Sequence, residues 1–347
     1  MKKVRWGVIG AGGIADRRTI PGIIKANNAE LVAVMEVTKE TAEKIRDKYN
    51  AIYSYDNEDD LLANSSVDAV YISSPVSFHK EQALKAAKAK KHILLEKPMA
   101  LTAEDSQEIV EVCQKNGVLL AVGFMMRFHS IHQKIKKLIQ DGSLGQIVFC
   151  RAQLTCWYPE IEGAWRQKKA TSGGGALMDL GVHCIDLLQY LLNSKTSRIA
   201  SFSGTKVFNY EIEDSSSTML EMENGTHCFI DAYFNIPDEA AKCRLEIYGT
   251  KGSALAENTI SQVDNGTLEL CLTENSGQYD AMQQRSNMQT TKIFGENGNL
   301  YSKEIEAFSN SVLNGCPVEV PGDDGVYVQK IVEAAYSSNK NRVIIKL

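Results

Sequence analysis

The 347-residue sequence holds no apolar run near the roughly 18 residues that a transmembrane helix needs, and its first apolar segment is broken by Arg5. Neither a membrane span nor a signal peptide is therefore expected, and the setting they leave is cytoplasmic. The eight cysteines, at 113, 150, 156, 184, 228, 243, 271 and 316, contain no C-x-x-C pair and no repeated spacing. That lack argues against a zinc site and a disulfide framework, and predicts reduced thiols. Basic charge is also short: 38 Lys and Arg against 43 Asp and Glu leave a net −5, where a nucleic-acid partner would call for a basic excess. With 44% hydrophobic and 23% charged residues, neither disorder nor a fibrous repeat explains the chain. Its length suits two domains.

Short β-rich runs alternate with longer amphipathic stretches up to residue 124, which predicts a parallel sheet wound with crossover helices. Residues 4–9, 31–35, 68–73, 92–95 and 118–123 read as strands. Residues 14–27, 38–49, 59–64, 79–90 and 102–116 read as helices, the first kinked or shortened at Pro21 and the last opened by Thr102-x-x-Asp105. Beyond about 125 the pattern changes. After a helix at 131–139, residues 147–154, 198–207, 215–221, 226–234, 244–248 and 267–272 read as strands joined by turns such as Asn224-Gly225, and predict a largely antiparallel sheet. A long helix at 177–192 interrupts them, 258–300 reads as an irregular excursion that is partly loop, and 303–314 and 324–338 read as helices. The expectation is an α/β chain with a dinucleotide-binding domain over 1–124 and a second domain over 125–347, the terminal helices being free to return to the first.

Gly10-Ala11-Gly12-Gly13-Ile14-Ala15 follows the first strand and opens a helix, giving G-x-G-x-x-A in its informative context. Gly10 allows the tight turn, Gly12 lets backbone N–H groups approach a pyrophosphate, Ala15 keeps the helix near the sheet, and the helix start favours phosphate. Glu36 ends the second strand, where a carboxylate accepts hydrogen bonds from ribose hydroxyls and repels a 2′-phosphate. NAD is therefore expected in preference to NADP.

Further along, Ser74-Pro75 with His79, the triplet Glu96-Lys97-Pro98, and Gly173-Gly174-Gly175 leading to Asp179, His183 and Asp186 join the glycine turn in order along nearly the whole chain. Together they resemble the Gfo/Idh/MocA family of sugar and polyol oxidoreductases. The resemblance implies a Rossmann domain with a doubly wound parallel sheet, then an α/β domain built on a large open, mostly antiparallel sheet, and a homo-oligomer. It implies that Gly10, Gly12, Gly13, Ile14, Glu36, Ser74, Pro75, His79, Glu96 and Lys97 serve the cofactor, that Pro98 follows a cis bond, and that Lys97, Asp179 and His183 are catalytic. Two positions depart from the family pattern, Val76 where many relatives carry Asn, and Met125-Met126 where relatives often carry Asn or Arg.

The residues themselves support related chemistry. Lys97 ends a buried-type strand at its carboxyl end, where ligands sit in doubly wound sheets. Asp179, His183 and Asp186, at i, i+4 and i+7, share one face of an otherwise apolar helix, and the triple glycine before it would let backbone approach a ligand; a solvated polar face is the alternative. Asp186 is expected to support the site. Arg127, Trp165 and Arg166, with Asp179 and His183, are the expected substrate contacts, although the tryptophans suit core packing equally. His129 and His132 read as structural or substrate-rim residues, and no metal set is expected. The expected reaction is hydride transfer between a secondary hydroxyl of a cyclic polyol, sugar or glycoside and NAD. Alternatives are a keto-sugar reductase, a redox glycosidase that retains NAD, and a non-catalytic sugar or dinucleotide sensor.

Overall fold

Six short runs in the first part of the chain become strands: β1 (Val4–Ile9), β2 (Ala29–Met35), β3 (Tyr53–Tyr55), β4 (Ala69–Ile72), β5 (His92–Leu95) and β6 (Leu120–Val122). The computed structural model describes residues 2–273, 279, 281–282 and 289–347. The six strands pair in parallel in the order β3-β2-β1-β4-β5-β6, the doubly wound arrangement that binds dinucleotides. All four residues of β4 and the last three of β5 are buried, as strands covered on both faces must be. β3 is an addition to the expected set; at three residues, with an exposed tyrosine, it carries too little apolar signal to be read from sequence.

Two compact units emerge, and the first is not continuous in sequence. It comprises residues 1–125, 163–173 and 299–330. The expected division at 124/125 separates the two sheets, but the helix Leu300–Asn314 and the segment behind it belong with β1 to β6. The packing shows why. The Trp6 indole on β1 donates to Ser309 Oγ at 3.1 Å and lies 5.7 Å from the Phe308 ring, and the Val122 amide donates to the Val320 carbonyl at 3.1 Å. The first helix starts with a π turn (Ala15–Thr19) and continues as Ile20–Lys25; Pro21, which has no N–H to donate, falls just after the π turn.

The second unit comprises 126–162, 174–298 and 331–347. Its nine strands are β7 (Ile147–Thr155), β8 (Thr196–Gly204), β9 (Ser215–Met222), β10 (His227–Tyr233), β11 (Leu245–Gly249), β12 (Gly252–Glu257), β13 (Thr267–Leu272), β14 (Thr290–Phe294) and β15 (Ile345–Lys346). They form one mixed sheet in the order β14-β13-β12-β11-β7-β10-β9-β8-β15, antiparallel except where β10 runs beside β7. Part of the 258–300 excursion is thus regular, since it holds β13 and β14; residues 274–278, 280 and 283–288 lie outside the described ones. The alternation is cleanest on β10, where Cys228, Ile230 and Ala232 are buried while His227 and Phe229 are exposed. On the other face Phe202, Met219 and Phe229 stay in contact with solvent.

The helix Val182–Leu192 packs on β7 and β10 with Cys184, Ile185, Leu187, Leu188 and Leu191 all buried. Burial of each Leu or Ile contributes roughly 1.5–3 kcal/mol, so apolar contact holds this helix and its polar members are a cost. The helical stretch Lys169–Leu192 is, among the described residues, the one long and apolar enough to cross a membrane by length and composition, and 83% of its apolar window is buried, the pattern of a core helix. All eight cysteines are free thiols.

Candidate active site

The last paired residues of four neighbouring strands, Met35, Ile9, Ile72 and Leu95, stand in one row. The residues that follow them therefore emerge together at the carboxyl edge: Glu36, Gly10, Ser73-Ser74 and Glu96-Lys97. At Gly10, φ is +75°, and a Cβ would come within 2.7 Å of the Ser74 amide nitrogen, so only glycine fits this turn. The Gly12 N–H donates to Glu36 Oε1 at 2.6 Å, and the Val37 N–H donates to Oε2 at 3.3 Å. At Gly13 a Cβ would meet nothing within 4 Å. The turn is thus filled below and open in front, a cradle that fits the phosphates of a dinucleotide, with Ile14 and the helix start behind it.

Ser74 turns its hydroxyl to Gln82, and Pro75 is the residue before the helix Val76–Lys88. Val76 is buried as the first residue of that helix. His79 links the two loops beside it. Its Nδ1 stands 3.0 Å from the Pro98 carbonyl and its Nε2 2.9 Å from the Ser74 carbonyl, at 1% exposure. The Lys97–Pro98 bond is cis. Burial lowers the imidazole from its ordinary 6.5 to about 4, so it is neutral at pH 7 and donates to one of the two carbonyls at a time. The neutral ring's contribution to stability is complete above pH 6.5 and is lost as pH falls from there to about 4, a loss of about 3 kcal/mol for a shift of this size. Urea unfolding between neutral pH and about 4 is expected to show that decline. A His79→Gln chain, which keeps N–H donors without the titration, should decline less steeply; equal slopes would refute the assignment.

Glu96 is buried, accepts from the Tyr71 hydroxyl, and accepts at 3.1 Å from the Lys97 N–H. Burial raises its carboxyl above the usual range, opposed by the Lys97 charge, the Tyr71 bond and, further off, the Arg166 guanidinium. Lys97 itself is half-buried. Trp165 and Arg166 belong to this first unit, half-buried, with the guanidinium 4.5 Å from the Trp165 ring centre.

In the second unit Asp179 lies within a π turn, Leu177–Gly181, that opens the long helix, and His183 follows on the α-helical part. Asp179 is half-buried and His183 is 5% exposed. Asp186 is the carboxylate partner of Arg127: Nε lies 3.0 Å from Oδ2, Nη2 bonds Oδ1, and both residues are buried. The guanidinium also lies 5.0 Å from the Tyr190 ring centre. Arg127, expected at the substrate, is therefore engaged inside the second unit, one helical turn along from His183.

Two members of the triple glycine lie against other parts of the chain. A Cβ at Gly174 would fall on the Tyr336 hydroxyl, and one at Gly175 on the Glu213 carbonyl oxygen. At these two glycines the close neighbour is protein, and Gly173, in the left-handed conformation, ends the short helix Lys169–Ser172. Glu213 and Tyr336 were not legible in the sequence, because Glu213 stands 38 positions beyond Gly175 and Tyr336 a further 123 beyond Glu213; only the close approach reveals them. His129 and His132 are structural. The His129 Nδ1 lies 3.1 Å from the Ile131 amide nitrogen at the helix start and 3.3 Å from Asp264 Oδ1, while its Nε2 lies 3.0 Å from the Asn265 carbonyl oxygen. His132 bridges the Met126 carbonyl and Thr259 Oγ1, and burial lowers it to about 3. Among the described residues no group of three or more His, Cys, Asp or Glu is placed to hold a metal ion.

A family model described as "Oxidoreductase family, NAD-binding Rossmann fold" matches residues 4–124, and one described as "Oxidoreductase family, C-terminal alpha/beta domain" matches 136–347. The chain belongs to the Gfo/Idh/MocA oxidoreductase family. This oxidoreductase is 30% identical over 365 residues to D-glucoside 3-dehydrogenase of Escherichia coli K12, covering 99% of this chain and 97% of that one. It is 29% identical over 325 residues to 1,5-anhydro-D-fructose reductase of Ensifer adhaerens, covering 93% and 92%. Among solved structures it is similar to the aldose-aldose oxidoreductase of Caulobacter crescentus, complexed with glycerol, with a TM-score of 0.89 at 25% identity and full coverage of both chains. The oxidoreductase thus carries an NAD-binding Rossmann unit whose glycine turn has the cradle described above.

Proposed function

We propose that this oxidoreductase transfers a hydride between a secondary hydroxyl carbon of a cyclic polyol, sugar or glycoside and NAD. The observation that carries the reading is that a nearly buried imidazole, His183, and half-buried Asp179 stand four residues apart on one helix start. The names of the relatives, a glucoside dehydrogenase and an anhydrofructose reductase, support the substrate class. Bound NAD supplies the hydride acceptor. His183 takes the hydroxyl proton as the C–H bond gives up its electron pair, while Asp179 and the Lys97 ammonium orient the hydroxyl and stabilise the negative charge that develops on its oxygen. Gly10, Gly12, Gly13, Ile14, Glu36, Ser74, Pro75, His79 and Glu96 hold or frame the cofactor; Trp165, Arg166 and Arg127 contact or support the sugar.

The Glu36 carboxylate underlies the preference for NAD, because a 2′-phosphate would be set against it while ribose hydroxyls donate to it. NAD is expected to bind at least about tenfold more tightly than NADP, a difference of about 1.4 kcal/mol. Titration of both cofactors checks this, and equal or tighter NADP binding would refute it. The reaction is tested by the absorbance of reduced nicotinamide when NAD is mixed with inositols, sugars and glycosides. Reduction with at least one of them is expected; inertness to all, together with no oxidation of NADH by the keto-sugars, sinks the reading.

A further inference from the structure

Glu213 meets four donors. Its Oε2 accepts from the Gly175 N–H at 2.9 Å, its Oε1 from the Leu177 N–H at 3.0 Å and from the Tyr336 hydroxyl at 2.8 Å, and its backbone carbonyl from the Ala176 N–H at 3.0 Å. Three consecutive amides at a helix start, groups that have no partner within the helix, are thereby satisfied by one residue. The carboxylate also opposes the positive end of the helix dipole. Its neighbour Asp214 is pinned in turn, accepting from the amides of Lys206, Val207 and Phe208 at 2.7–3.0 Å, so the clamp has a fixed base. Tyr336 remains a phenol donor, because burial and the adjacent carboxylate push it well above its ordinary value.

The clamp reaches the two catalytic candidates by single links. The Gly175 carbonyl, on the residue whose N–H Oε2 holds, accepts from the Asp179 N–H at 2.9 Å. The Leu177 carbonyl, on the residue whose N–H Oε1 holds, accepts from the Val182 N–H, one residue before His183. Each carboxylate oxygen thus controls the backbone that presents one member of the pair. We propose that Glu213, braced by Tyr336, is the positioning residue for Asp179 and His183, an inference that rests on the function proposed above. Through the π turn it sets where the acid/base pair stands, and touches neither substrate nor cofactor.

The test is Glu213→Gln, which keeps the size but replaces one acceptor oxygen with an NH₂ facing an amide donor. With the folded fraction set by circular dichroism and melting, kcat is expected to fall by about tenfold to a hundredfold, the scale of a small misplacement of reacting groups, while the KM for NAD stays as in the parent. A purely structural clamp would lower the melting temperature and leave kcat of the folded enzyme alone, and that result overturns the proposal. Should the Gln variant not fold, Tyr336→Phe, which keeps the ring against Gly174, decides in its place: a several-fold loss of kcat supports positioning, and parental kcat refutes it. His183→Ala runs beside them. Parental turnover there removes the acid/base role of His183 and this inference with it, leaving the reaction itself standing, whereas a dead His183→Ala beside a fully active Glu213→Gln removes the positioning role alone.

Discussion

His183→Ala is expected to lower kcat by about two to four orders of magnitude, the usual worth of a positioned acid or base, while NAD titrates as before. The separation follows from the chain's organisation: the cofactor cradle is built from the ends of β1, β2, β4 and β5 in the first unit, and His183 belongs to the second. Lys97→Ala should show a comparable loss of turnover. Its backbone N–H still serves Glu96, so the loop keeps its bond when the side chain is cut. The measurement is steady-state turnover on the best substrate of the panel, with cofactor binding read separately by fluorescence or calorimetry. Retention of turnover in both variants would remove the acid/base assignment, and loss of NAD binding in His183→Ala would show that it acts through the fold.

Gly175→Ala is expected to cost about 4 kcal/mol or more, in the range reserved for steric conflict or lost buried networks. The added methyl falls on the Glu213 carbonyl oxygen, and the backbone movement needed to relieve it breaks the bonds from the Gly175 and Ala176 amides as well. Gly13→Ala is the control. Its φ of +53° carries the left-handed penalty of about 1–2 kcal/mol, but the methyl would enter open space. Denaturant unfolding of the two chains should therefore differ by about 2 kcal/mol or more, with cofactor affinity lost in the Gly13 variant and not in any folded Gly175 variant. Equal stabilities would mean that the second glycine turn has room to relax.

The doubly wound sheet and the family were legible because they depend on local, strong signals: apolar runs of four to six residues, the glycine turn and the capping threonine, whose Oγ1 accepts from the Asp105 N–H at 3.0 Å. What escaped has a common physical cause. β3, β14 and β15 are short or exposed, so their residues carry little burial pattern. The π turn before Val182 has no composition of its own. Glu213 and Arg127 owe their partners to contacts across long stretches of chain, and a carboxylate or guanidinium looks the same in sequence whether it faces water or another side chain. The triple glycine was visible, but its reason was not: a close approach says that something is near, and only the structure names Tyr336 and Glu213 as that something.

The two glycine-opened helix starts differ in what stands before them. The second has Glu213 across the Gly175 and Leu177 amides, while at the first the Glu36 carboxylate holds the Gly12 amide and the space before Gly13 is open. Inheritance should treat them differently. Drift at the open start is expected to alter ligand preference at little cost in stability, whereas drift at the filled start is expected to lower stability, so that changes at Gly174, Gly175, Glu213 and Tyr336 should be coupled to one another.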